Sequence, residues 1–105
     1  MKTAYSQTIN KYLTFLRRFL NDMDSHELVF EITEQKTFKA TLSGKLDFEK
    51  FYGRGFTGLV DLLFELEWDE VGMLTYWHLV IDGDVSNSTS TIKYQEEDII
   101  RASWN

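Results

Sequence analysis

Two hydrophobic periods run along this chain, and each predicts its own elements. Over residues 3–21, Tyr5, Ile9, Tyr12, Leu13, Leu16, Phe19 and Leu20 share one stripe of a helical wheel, with Gln7, Asn10, Lys11, Thr14 and Arg17 opposite. That 3.6-residue spacing predicts an amphipathic helix packed on the domain, with Thr3 or Ser6 as its cap. Residues 27–33 instead alternate, Leu28, Phe30 and Ile32 against Glu27, Val29, Glu31 and Thr33, as a strand with one buried face does. Residues 37–46 fit both periods. Phe38, Ala40 and Leu42 align as a strand completing a hairpin around residues 34–36, whereas Phe38, Leu42 and Leu46 align as a helix capped by Thr37.

Gly53 and Gly55 lie too close together for any regular element and mark a bend. Beyond it, Phe56, Leu59, Val60, Leu63 and Leu66 recur at the spacing of a buried helix face. Residues 74–81, LTYWHLVI, predict the strongest strand of the chain. Asp82-Gly83-Asp84 predicts a turn, residues 86–90 a polar loop, and residues 91–94 a short strand antiparallel to 74–81. Residues 96–104 suit a helix or a strand.

The stretch from Leu46 to Trp68, LDFEKFYGRGFTGLVDLLFELEW, resembles the barstar family of ribonuclease inhibitors in an aromatic pair followed by Gly, a bend, a short helix with a central Asp, and a Leu-Glu-Trp ending. The resemblance spans about residues 27–81 and takes residues 37–46 as a helix. It implies an α+β fold, in which a small mixed β-sheet packs against the N-terminal amphipathic helix and a central short helix. The whole chain is then one domain, with residues 1–24 an N-terminal helix, 27–81 the barstar-like core, and 82–105 a turn, strand and C-terminal segment.

Composition narrows the function classes. A chain of 105 residues is one domain with a modest core, and 15% aromatic content suits a packed protein. No Cys is present, so neither a disulfide framework nor a thiolate zinc site is possible, and a reducing cytoplasm is the simplest expectation. No apolar run is long enough to span a membrane, and no signal peptide is visible. The net charge is −6. Residues 1–26 carry four basic and two acidic residues, whereas residues 27–105 carry seven basic and fifteen acidic. Such a body repels nucleic acid and suits a basic partner. His26 and His78 are the only histidines, and no phosphate loop, dinucleotide fingerprint, nucleophile elbow or zinc helix motif occurs. Asp82-Gly83-Asp84 lacks the spacing and closing Glu of a calcium loop. The expectation is therefore a protein without enzymatic activity, cofactor or metal.

The resemblance implies an immunity protein or antitoxin that plugs the active site of a basic ribonuclease toxin. It makes Asp61 the helix carboxylate that replaces a substrate phosphate between cationic side chains, and Tyr52 an aromatic stacking at the partner's cleft. On a helical wheel Arg54, Thr57, Asp61 and Glu65 share one face, and Glu67, Asp69 and Glu70 widen the negative patch. The plainer reading of 57, 61 and 65 is an ordinary solvated face. The same acidity also suits a nucleic-acid mimic that inhibits a restriction or CRISPR complex. A compact patch around residues 54–65 favours the plug, whereas a long acidic stripe favours the mimic.

Overall fold

The computed structural model describes residues 16–101. Residues 16–21 are helical (α1), and the rest of the predicted N-terminal helix, with Thr3 and Ser6, lies outside the described residues. Five strands follow: β1 (Met23–Ile32), β2 (Phe38–Asp47), β3 (Leu59–Trp68), β4 (Leu74–Ser86) and β5 (Thr91–Arg101). A five-residue helix, α2 (Phe48–Tyr52), links β2 to β3. Every pairing is antiparallel and the strand order is the chain order.

The α+β expectation, a mixed sheet around a central helix, is therefore overturned. Strands hold 63% of the described residues and helices 13%. The segment expected as the central helix is β3, the middle strand. The helical stripe of Leu59, Val60, Leu63 and Leu66 leaves Leu62, Phe64 and Trp68 unaccounted for. Alternation buries Val60, Leu62, Phe64, Leu66 and Trp68 together and turns Asp61, Leu63, Glu65 and Glu67 to the other face. Segment 37–46 resolves the same way, with Ala40, Leu42 and Leu46 buried in β2.

Turn chemistry fixes the register of the hairpins. Between β1 and β2, Thr33 N–H donates to the Thr37 carbonyl at 2.8 Å, the two hydroxyls lie 2.6 Å apart, and Lys36 takes the left-handed conformation. Between β3 and β4, the Asp69 carboxylate accepts from the Val71 and Met73 amides at 3.1 and 2.9 Å. Asp82-Gly83-Asp84 is no turn: β4 runs on through it to Ser86, and the reversal falls at Asn87, whose side-chain oxygen accepts from the Thr89 and Ser90 amides. Gly44 pairs with His26 near the start of β1, just past the register shift between Met23 and Ser25. A Cβ there would lie 2.1 Å from the Ser25 carbonyl oxygen, so only glycine fits.

The core lies on one face of the sheet. Leu16 and Phe19 of α1 and Phe48 of α2 close over the buried residues of β2, β3 and β4. Phe19 stacks on Phe51 and meets Phe64 edge-on, each pair 5.3 Å between ring centres. Asp47 caps α2 by accepting from the Lys50 amide, and Gly53 ends it in the left-handed conformation. The other face carries no helix among the described residues.

Strand and helix assignments of β3 make opposite predictions at two adjacent leucines. Leu62 is 2% exposed on the covered face, and Leu63 faces outward. Leu62→Lys strands an ammonium in the core and unfolds the domain, because that cost rivals the ~5–15 kcal/mol stability of a small protein. Leu63→Lys keeps the fold at a cost of about 1 kcal/mol. Urea unfolding of the two variants tests this, and a greater loss for Leu63→Lys would contradict the strand.

Candidate protein interface on the open face of the sheet

Alternation places a fixed set of side chains on the uncovered face. They include Glu27, Val29 and Glu31 of β1, Lys39 and Lys45 of β2, and Asp61, Leu63, Glu65 and Glu67 of β3. With them stand Tyr76, His78, Val80, Asp82 and Asp84 of β4, and Lys93, Gln95, Glu97 and Ile99 of β5. Each lysine of the set meets a carboxylate. Lys45 pairs with Asp61, Lys39 Nζ lies 3.4 Å from Glu65 Oε2, and Lys93 Nζ lies 4.0 Å from Asp82 Oδ1. Glu27, Glu31, Glu67 and Asp84 enter no ion pair among the described residues. Among the described side chains, the face is thus a negative surface whose lysines are already engaged.

A charged ladder crosses its middle. Glu65 stands opposite His78, and His78 is flanked on the next strand by Glu97. With both ring nitrogens protonated, Nδ1 points toward Glu65 Oε1 at 3.4 Å and Nε2 donates to Glu97 Oε2 at 3.1 Å. Hydrogen bonding to Glu97 holds the imidazole above its ordinary value of 6.5; partial desolvation opposes this, and Glu65 adds to it. From Lys39 through Glu65 and His78 to Glu97, side chains of four strands make one row.

The residues expected to form the partner surface divide among three places. Asp61, Glu65 and Glu67 share the open face, but as alternate residues of a strand. Asp61 is engaged by Lys45 and so is not a bare carboxylate presented on a helix. Tyr52 belongs to the covered side: its hydroxyl meets that of Tyr94, and both phenols donate to Glu96 Oε2, at 2.7 and 2.6 Å. Burial, then these hydrogen bonds, push the Tyr52 phenol well above the ordinary tyrosine range, and burial raises Tyr94 too. Both phenols stay neutral, pinning α2 to β5.

Arg54 lies in the exposed bend after α2, and Thr57 forms an isolated bridge with Ser86. Asp69 is spent on its turn, and Glu70 sits exposed in the same hairpin. The helical face of Arg54, Thr57, Asp61 and Glu65 therefore does not exist, because no helix passes through them. Glu27, Glu31 and Glu97 belong to no motif in the sequence, and Asp84 reads there as part of a turn. Alternation through residues 76–84 was the signal for His78 and Asp84.

Among the described residues no cluster of His, Asp and Glu could hold a metal ion, and no helix is long and apolar enough to cross a membrane.

The raised His78 value fixes the sign of a pH effect. The folded state binds the proton more tightly than the unfolded chain, so the contribution is complete below about 6.5. It is lost as the pH rises through the folded value. Denaturation of wild type and His78→Gln across the range from about pH 5 to about pH 8.5 should give a difference that shrinks toward alkaline pH. A difference that grows instead would contradict the bonding of His78 to Glu97 and Glu65.

No family model, curated protein or solved structure matches the chain, so what the open face does is read from its own residues.

Proposed function

We propose that this chain acts by binding, docking the open acidic face of its sheet into the basic, nucleic-acid-binding cleft of a protein and so blocking it. In its simplest form it is an immunity protein or antitoxin, and the partner is a ribonuclease toxin. The observation that carries this reading is the charge balance of the open face, where every lysine meets a carboxylate and further carboxylates remain. Carboxylates of this kind can take the place of substrate phosphates against Arg and Lys, and long-range attraction speeds the encounter. The same charges repel nucleic acid, so the partner is a protein. The docking element is a sheet face, not a helix.

A second reading has its own observation. The carboxylates extend over β1, β3, β4 and β5 instead of gathering around residues 54–65. That spread suits a nucleic-acid mimic occupying the longer groove of a restriction or CRISPR complex.

Affinity capture from the source cells at low salt, followed by calorimetry with the purified partner, tests both. Wild-type binding should weaken steeply with salt. Combined Glu31→Lys, Glu67→Lys and Asp84→Lys should weaken it by on the order of 100-fold, since each reversal replaces an attraction with a repulsion. A small ribonuclease that is silent in the complex and active when released supports the immunity form; a large nucleic-acid-binding assembly supports the mimic. Undiminished binding by the triple variant would sink both.

A further inference from the structure

The sheet ends in two edges of opposite character. On β5 the run Gln95-Glu96-Glu97-Asp98 is exposed, and three adjacent acids repel any strand of like charge. On β1 no such run occurs. Leu28, Phe30 and Ile32 stand on the covered-face side of β1, where Phe30 is 45% and Ile32 69% exposed. Phe30 and Ile32 border a recess of about 350 Å³, lined also by Glu31 and Phe38. Exposed apolar side chains on an unpaired edge are what natural sheets avoid unless something pairs there.

Backbone geometry sets what can pair. Thr33 N–H donates to Thr37 across the β1–β2 hairpin. Antiparallel bonding alternates along a strand, so the odd residues of β1 aim their N–H and C=O groups at β2. The even residues Leu28, Phe30 and Ile32 then aim theirs at the open edge.

We infer that the occupant is a second copy of this chain, its β1 antiparallel to the first, with Phe30 on the two-fold axis. In that register Phe30 faces Phe30, and Leu28 faces Ile32 on both sides, joining the two apolar recesses. On the other face Val29 lies opposite Glu31 and Glu27 opposite Thr33, so no acid meets an acid. Centring on Val29 instead places Glu27 against Glu31 twice, and centring on Glu31 places that residue against itself. The strand is self-complementary in one register and self-repelling in the registers on either side. An isologous contact of this kind makes a closed two-fold dimer with a continuous ten-stranded sheet. It does not rest on the proposed docking of the open face, although Glu27 and Glu31 belong to both surfaces, and its salt response has the opposite sign: screening the like charges of the two copies strengthens it.

The chain has no Cys, so a single introduced thiol reports on one position. Hydrogen-bonded antiparallel pairs have Cα atoms about 5.5 Å apart, within the reach of a disulfide. Under mild oxidation of the full-length protein, Phe30→Cys should cross-link to its twin, while Val29→Cys should not. Sedimentation velocity over a concentration series should show wild type passing from monomer to dimer more readily at high salt, and Phe30→Lys monomeric throughout. A wild type that stays monomeric, a dimer that survives Phe30→Lys, or equal cross-linking at positions 29 and 30 would overturn the inference.

Discussion

The structure depends on one row of side chains. Val60, Leu62, Phe64, Leu66 and Trp68 leave the central strand on the same side and are all buried. Burying them requires strands on both flanks and a lid above, which β2, β4 and the two helices supply. The row also determines where everything else on β3 points. Because the strand period is two, Asp61, Glu65 and Glu67 have no choice but the opposite face. The acidic surface is thus a by-product of the core: a one-residue slip would bury the carboxylates and expose the row.

The two faces are held by different physics. On the covered side, aromatic packing joins α1, α2 and the sheet, and the Tyr52–Tyr94–Glu96 cluster ties α2 to β5 with neutral phenols. On the open side the cross-strand ion pairs range from half-buried at Glu65–His78 to exposed at Lys45–Asp61, and the exposed ones are worth little to stability. Stability and surface charge are therefore largely separable, and the open face can be altered without dismantling the core.

Much of the strand pattern is legible in the sequence. The alternation of residues 27–33 and 74–81 and the polar reversal around 86–90 need only local reading. The central strand misleads because Leu59 and Leu63 lie on its outer face. Two leucines out of phase blur the alternation and complete a helical stripe, and only the pairing of β3 on both sides decides between the periods. Asp82-Gly83-Asp84 misleads because Gly83 answers to a neighbouring strand: a Cβ there would press on Val60. The acidity of the site was visible, but its layout was not. Asp61, Glu65 and Glu67 belong together for strand reasons, and partners such as Glu31 and Asp84 are brought alongside only by long-range register.

Strand order equal to chain order has a consequence for how the molecule assembles. Each strand pairs with the one made just before it, so no segment waits for a distant partner, and loop-closure entropy is spent in small steps. The chain also contains no Pro, which removes the slowest backbone isomerisation from the process. Hairpins can therefore zip in the order in which they leave the ribosome. Of the five strands, β1 with its apolar side is made first, and the β5 strand that completes the sheet is also the most heavily charged.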